Sequence, residues 1–207
     1  MPTIKRGIFI ALEGVDGSGS STQTKMLVDL LREKGFDAVA TKEPNPEGRV
    51  EPVIRGYLAE QDGLPALDAL LFAADRVDHS CRLIGRWLES RRIVVSDRYL
   101  ESSVAYQASQ GLSERWVLSI NRFALKPDLT IIMDIDPEVS LARKGGQRER
   151  FERAAFLSKV RARFLERASR MGFAVVDASR PVEEVHAAVV KEVLPLLLSV
   201  SDLPAKK

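Results

Sequence analysis

Gly14, Gly17 and Gly19 punctuate a short run that ends in two hydroxyls, Ser20 and Ser21. This is the make-up of a loop that wraps a phosphate. Glycines permit backbone angles that turn successive N–H groups inward, and a helix beginning at the loop adds the positive end of its dipole. In such a loop Ser21 holds the position whose hydroxyl meets magnesium. The position before it normally carries a lysine that bridges the terminal phosphates, and here it is Ser20. Serine donates one hydrogen bond and brings no charge. Anion binding through backbone amides survives that exchange, but stabilising a phosphoryl-transfer transition state needs a cation from elsewhere. A plainer reading is a glycine-rich turn in which Ser20 or Ser21 caps the following helix.

The loop has the required setting. "GIFIALEG" is a continuous apolar run stopped by glycine, the pattern of a buried strand. "STQTKMLVDLLREKG" follows, with Met26, Leu27, Leu30 and Leu31 on one helical face and Gly35 as its stop. Strand-like segments recur at "DAVATKEP", "IVVSDRY", "DLTIIMDID" and "FAVVDAS". Helical patterns lie between and after them: "PVIRGYLAEQ", "ALDALLFAADRVDHSCRLIGRWLESR", "SERWVLSINRFAL" (opened by Ser113), "PEVSLARKG", "ERAAFLSKVRARFLERASRMG" and "PVEEVHAAVVKEVLPLLL". The terminal "SDLPAKK" reads as a frayed tail. Alternating apolar strands and helices predict an α/β fold, a five-stranded parallel sheet with helices on both faces. Ligands of such sheets bind beyond the carboxyl ends of the strands. That rule places residues 14–22, Glu43–Pro44, Asp97–Arg98 and the loop after Asp177 along one edge.

The 207 residues suit one domain with a sizeable core. An apolar fraction of 45% and a charged fraction of 29% describe a globular chain. A net charge of +2 leaves no surplus for the basic face of a dedicated nucleic-acid binder. The single cysteine, Cys81, excludes a disulfide framework and points to a reducing, cytoplasmic setting. It is expected to be a small buried hydrophobe on a helix. No signal peptide and no apolar run of membrane-spanning length are evident. His79 and His186, the two histidines, lack a second metal ligand at helical spacing and are expected at the surface or in packing.

"FIALEGVDGSGSSTQ" resembles the opening of the thymidylate kinase family. Four further stretches agree in order and spacing: "TKEP" (41–44) with the motif after the second strand, "LLFAADRVDH" (70–79) with the thymine-binding helix, "DRYLESSVAYQ" (97–107), and "ERFE" (149–152) with the lid. "PDLTIIMDIDPEVSLAR" and "VVDASRPVEEVH" extend the similarity over nearly the whole chain. The resemblance implies transfer of the γ-phosphoryl group of ATP to dTMP, giving dTDP and ADP for dTTP synthesis. It implies Mg2+, a P-loop NTPase-type fold, and a homodimer. It also implies one kinase domain over residues 1–207 with a lid at about 143–153.

The residues give this chemistry a form. Gly14, Asp16, Gly17, Ser18, Gly19, Ser20, Ser21 and Thr22 would bind ATP, with Arg143 stacked on the adenine as that position is in the family. Phe72 and Arg76, one helical turn apart, face the same way. A ring to stack on a base and a guanidinium to bond its carbonyl suit a pyrimidine. Gln107 offers donor and acceptor to a thymine edge, and Tyr106 would crowd a ribose 2′-hydroxyl. Asp97, at the end of a buried strand, is placed to hold Mg2+ with Ser21, partly through water. Arg98 is placed to clamp the acceptor phosphate. Asp16 would meet the sugar 3′-hydroxyl and the acceptor phosphate. Arg55 resembles a phosphate-binding position, and Glu43 and Pro44 belong to the same acceptor site. Ser102 and Ser103 either bond the base or cap the next helix.

Replacement charge has one evident source. Gly145 and Gly146 form a hinge among Arg143, Lys144, Arg148, Arg150 and Arg153. Family members carry an extra arginine either in the loop or, where the loop residue is small, on the lid. Gly17 at the loop position makes this chain resemble the second kind. Arg150 fits the lid motif best, with Arg148 close behind. Two rival functions stay open: another nucleotide kinase on the same fold, and a non-catalytic nucleotide binder degenerate at Ser20.

Overall fold

The computed structural model describes residues 4–59, 63–144 and 153–201. Five parallel strands form one sheet in the order β2-β3-β1-β4-β5. They are β1 (Ile8–Gly14), β2 (Ala38–Lys42), β3 (Ile93–Asp97), β4 (Leu129–Asp134) and β5 (Ala174–Asp177). The helices are α1 (Ser20–Glu33), α2 (Glu51–Leu58), α3 (Pro65–His79), α4 (Gly85–Glu89), α5 (Leu100–Ser109), α6 (Glu114–Ile120), α7 (Pro137–Lys144), α8 (Ala154–Met171) and α9 (Val182–Val200). This is the parallel α/β architecture expected from the alternation of apolar runs.

β1 is buried along its whole length. Period-two geometry divides its side chains between two cores. Ile8, Ile10 and Leu12 join Leu27 and Leu31 of α1, Leu157 and Phe164 of α8 and Val189 and Val193 of α9. Phe9 and Ala11 point the other way, to Ile84, Val94 and Tyr99. Each large aliphatic side chain so buried contributes roughly 1.5–3 kcal/mol. The sheet centre is therefore the rigid base from which the carboxyl-end loops project.

Register aligns those ends. Leu12 of β1 and Lys42 of β2 both pair with Asp97, and Gly14 pairs with Met133. β3 stops at Asp97 because Arg98 turns into the left-handed region, with φ of 68°. That turn is held by the Arg98 N–H, which donates to the Leu12 carbonyl at 2.8 Å. The Ser96 hydroxyl completes it by donating to the Arg98 carbonyl at 2.7 Å.

The long helical pattern over 66–91 is α3, a π-helical turn at Ser80–Ile84, and α4. Cys81 is exposed, contrary to expectation. Ser80 and Ile84 take the inward face of the π turn, and Cys81, one residue past Ser80, is directed to solvent. α6 ends at Ile120 rather than Leu125, because Asn121 leaves the helix to bond Arg76.

Candidate active site

Gly17 and Gly19 have φ of 79° and 87°. These angles turn the loop after β1 into a nest of inward N–H groups. A Cβ on residue 17 would lie 2.3 Å from the Ser140 carbonyl oxygen of α7, so the loop packs directly on that helix. α1 begins at Ser20 with Gly19 as its N-cap and no side-chain cap. The capping reading of Ser20 and Ser21 is thereby corrected. The Ser20 hydroxyl donates to Asp97 Oδ1 at 2.5 Å, and the Ser21 hydroxyl donates to Asp97 Oδ2. The first-turn N–H groups of α1 stay available to an anion. Ser18 is buried, and its hydroxyl has no partner among the described residues. Thr22 is exposed at the first turn.

Ser21 and Asp97 present a hydroxyl and a carboxylate, hard oxygen donors at the mouth of the phosphate loop. That set fits Mg2+, which binds through one or two protein oxygens plus substrate phosphates and water. A hollow of about 430 Å³ opens beside them and is also lined by Thr24, Lys25 and Lys42. Lys25 is paired with Asp29 at 2.6 Å. Lys42 has no ion-pair partner among the described residues.

A second cavity, of about 190 Å³, lies across Arg98 from the loop. At the end near the loop, Arg98 donates to Asp16 Oδ1 at 2.8 Å, the Gly14 carbonyl at 2.7 Å and Ser102 Oγ at 3.1 Å. Its guanidinium carbon stands 5.5 Å from the centre of the Tyr106 ring. Burial opposes its charge, but Tyr106, Asp16, Asp97 and Glu13 carry its pKa upward. The Tyr106 hydroxyl donates to Asp16 Oδ2 at 3.1 Å and accepts the Asp16 N–H at 3.2 Å. Asp16 thus joins the phosphate loop to the acceptor cavity. Arg55 lines the rim, paired with Glu51 on its own helix and largely exposed.

Phe72, Arg76, Ser103 and Gln107 line the opposite end of the cavity. Arg76 is 1% exposed. Its Nε donates to Glu43 Oε2 at 2.8 Å and its Nη1 to Asn121 Oδ1 at 2.5 Å. Its Nη2 donates to the Tyr99 carbonyl and to Ser103 Oγ, each at 3.0 Å. A guanidinium has five donors. Nη2 also stands 2.7 Å from Glu43 Oε2, so among the described residues every donor but one on Nη1 has a partner. Gln107 is 2% exposed, and its Oε1 has no partner among the described residues. A buried unpaired amide oxygen lining a cavity is a site prepared for a donor. Neither Ser102 nor Ser103 caps α5; each hydroxyl accepts from an arginine instead.

Glu43 acts through Arg76, and Pro44 lines the cavity. His79 is fully buried, the packing alternative of the two expected, and it spans Thr41 Oγ1 at 2.7 Å and Glu43 Oε1 at 3.3 Å. His186 bonds Gln23 Oε1 at 3.1 Å, tying α9 to α1. Asp75 accepts the Asn45 N–H at 2.9 Å and so fixes the loop after Pro44. Burial pushes its carboxyl up to about 6.

On the donor side, Arg143 donates to the carbonyls of Ala178 and Ser179 at 2.7 and 2.8 Å. It bridges the end of α7 to the loop after β5. Arg148 and Arg150, with Gly145, Gly146, Glu149, Glu152 and the Lys144 side chain, lie outside the described residues.

Sequence reasoning missed Glu13, Tyr99 and Asn121. Each is joined to the site by partners distant in sequence. Only Glu13 carried a local sign, an acid in an otherwise apolar strand.

The family model for thymidylate kinase matches residues 12–189. A probable thymidylate kinase from Pyrobaculum aerophilum is 46% identical over 187 residues, covering 87% of this chain and 93% of that protein. One from Staphylothermus marinus is 42% identical over 195 residues, covering 93% and 97%. One from Methanocaldococcus jannaschii is 43% identical over 188 residues, covering 88% and 94%.

Proposed function

The chain belongs to the thymidylate kinase family and phosphorylates dTMP with ATP, and we propose that the carboxyl-edge residues described above perform the transfer. The observation that carries the assignment is one cavity with two chemically distinct ends. Arg98 and Asp16 line one end, where their chemistry suits a phosphate, and Phe72, Arg76 and Gln107 line the other, where theirs suits a base.

ATP lies in the cradle of Gly14–Thr22, with Arg143 against its adenine. Ser21 and Asp97 would hold Mg2+, partly through water, and the ion would supply charge neutralisation for the terminal phosphates. Phe72 stacks on thymine, the remaining Arg76 proton meets a ring carbonyl, and Gln107 Oε1 accepts the ring N–H. Tyr106 closes the sugar end against a 2′-hydroxyl. Arg98, with Arg55 at the rim, holds the dTMP phosphate so that one of its oxygens stands in line with the γ-phosphorus. That oxygen forms the new P–O bond as the bond to ADP breaks, without a covalent intermediate. Positioning and charge supply the catalysis. Residues 143–153 act as a lid whose Arg148 or Arg150 brings the cation that Ser20 lacks. The functional unit is a cytoplasmic homodimer built of one kinase domain per chain.

The test is a coupled ADP-release assay with ATP, Mg2+ and a panel of nucleoside monophosphates. Buried polar groups left unpaired by the wrong base cost several kcal/mol. Therefore kcat/KM for dTMP should exceed that for dCMP, dAMP and dGMP by roughly 10³-fold. Equal use of a purine monophosphate would overturn the thymine assignment.

A further inference from the structure

Glu13 is fully buried near the end of β1, yet it is not among the residues that line the acceptor cavity. Its parity in the strand is that of Phe9 and Ala11, so it points to the face where α5 begins. Its Oε1 accepts the Glu101 N–H at 2.9 Å. Its Oε2 accepts the Ser102 N–H at 3.1 Å and the Ser102 hydroxyl at 2.5 Å. α5 has no side-chain cap of its own. A carboxylate from a strand far away in sequence takes that place.

We propose that Glu13 is the positioning residue of the acceptor-phosphate clamp, acting through Ser102 on Arg98. The inference rests on the kinase reading of the site. A serine hydroxyl has one proton and two lone pairs. Because Ser102 gives its proton to Glu13, it can only accept from Arg98, which donates to it at 3.1 Å. Glu13 thereby sets the polarity of the contact that aims the guanidinium. The Arg98 backbone is fixed by the Leu12 carbonyl and by Ser96, so the aim of the side chain is left to Gly14, Ser102 and Asp16.

This role is separable from simple support of the helix. The first turn of α5 is also anchored from its other side, where Arg167 of α8 grips both oxygens of Glu101 at 2.7 Å. Replacing Glu13 with Gln keeps size and shape but leaves one acceptor oxygen where two are used. If that oxygen faces Ser102, the amide nitrogen opposes the Glu101 N–H. If it faces Glu101, the amide donates to Ser102 and turns the hydroxyl proton toward Arg98, a cation. Either orientation disturbs the first turn or reverses the polarity at Ser102.

A proton on Glu13 would do the same. Burial pushes its carboxyl up to about 7, against the Ser102 hydrogen bond. Glu101 of α5 adds to the rise, while Arg98 and Arg76 oppose it. Ionised Glu13 accepts all three donors and protonated Glu13 does not, so the clamp weakens as pH falls through that value.

Steady-state kinetics across pH test this. Glu13→Gln should raise KM for dTMP about tenfold or more, with KM for ATP within about threefold of wild type. It should also remove the limb of kcat/KM for dTMP centred near pH 7, leaving the limb at about 6 that belongs to the phosphate monoester. Ser102→Ala, which leaves β1 intact, should reproduce the rise in KM for dTMP. The double variant should be no worse than the more impaired single. The proposal is overturned if KM for dTMP stays within about threefold of wild type in either variant, or if both nucleotide KM values rise together. Should Glu13→Gln fail to fold, Ser102→Ala decides by the same criterion. A wild type without dTMP-dependent ADP formation would overturn the kinase reading instead, whatever the variants do.

Discussion

Ser20 Oγ lies 2.5 Å from Asp97 Oδ1, and Ser21 takes the other oxygen of the same carboxylate. The residue at the lysine position is therefore part of the mount of Asp97, the aspartate proposed to face the metal. Ser20→Ala would leave Oδ1 of a largely buried carboxylate without that donor. Loss of one such hydrogen bond costs about 1 kcal/mol. The expected outcome is a lower melting temperature and a several-fold higher Mg2+ concentration for half-maximal rate. A magnesium titration with a parallel thermal melt checks it, and two unchanged values would remove Ser20 from this role.

Arg98 is expected to hold developing charge on the acceptor phosphate. It is wrapped by Gly14, Asp16 and Ser102 and packed on Tyr106, so removing it leaves Asp16 short of an ion-pair partner. Arg98→Ala should lower kcat/KM for dTMP by at least about 10²-fold, near 3 kcal/mol, with cooperative unfolding retained. A folded variant within about threefold of wild type would contradict the clamp.

The parallel sheet and its functional edge were legible because buried parallel strands read as apolar runs that glycines or prolines end. The Phe72–Arg76 pair was legible because helical spacing puts both on one cavity. What escaped was long-range. Glu13 meets Glu101 and Ser102 at separations of 88 and 89 residues, and Arg76 meets Asn121 across 45. No periodicity encodes such contacts. Cys81 was misplaced for a local reason, since a π turn cannot be told from α-helix by composition.

Gly17 bears on where the missing charge can come from. Its φ of 79° and the Ser140 carbonyl 2.3 Å from a would-be Cβ exclude any larger residue without displacement of α7. Gly17→Arg, which would install a loop arginine, should therefore lose activity and lower the melting temperature. Positive φ alone costs a non-glycine residue of order 1–3 kcal/mol. Full activity and unchanged stability in Gly17→Arg would show that α7 yields easily and that the loop could have carried the arginine.

Ser20 engaged by Asp97 and Gly17 closed by α7 leave the loop without a cation, and the lid is the remaining source the sequence suggests. Charge brought by a lid reaches the phosphates only on closure, so it acts on the transition state more than on ground-state ATP binding. Arg150→Ala or Arg148→Ala should reduce kcat by about 10²–10⁴-fold with a much smaller change in ATP Kd. Lys42 supplies the control, since it pairs with Asp97 in the sheet and lines the same hollow. If Lys42→Met matches the loss and the lid variants do not, the cation comes from β2. Ser20→Lys is the complementary test. It surrenders the hydrogen bond to Asp97 while restoring a charge, so it should raise kcat only modestly or lower it. It should also soften the loss in the lid variant, because two cations would then share one function. An inactive wild type that gains strong dTMP-dependent ADP formation on Ser20→Lys would mean that the loop is broken and that neither lid nor Lys42 replaces it.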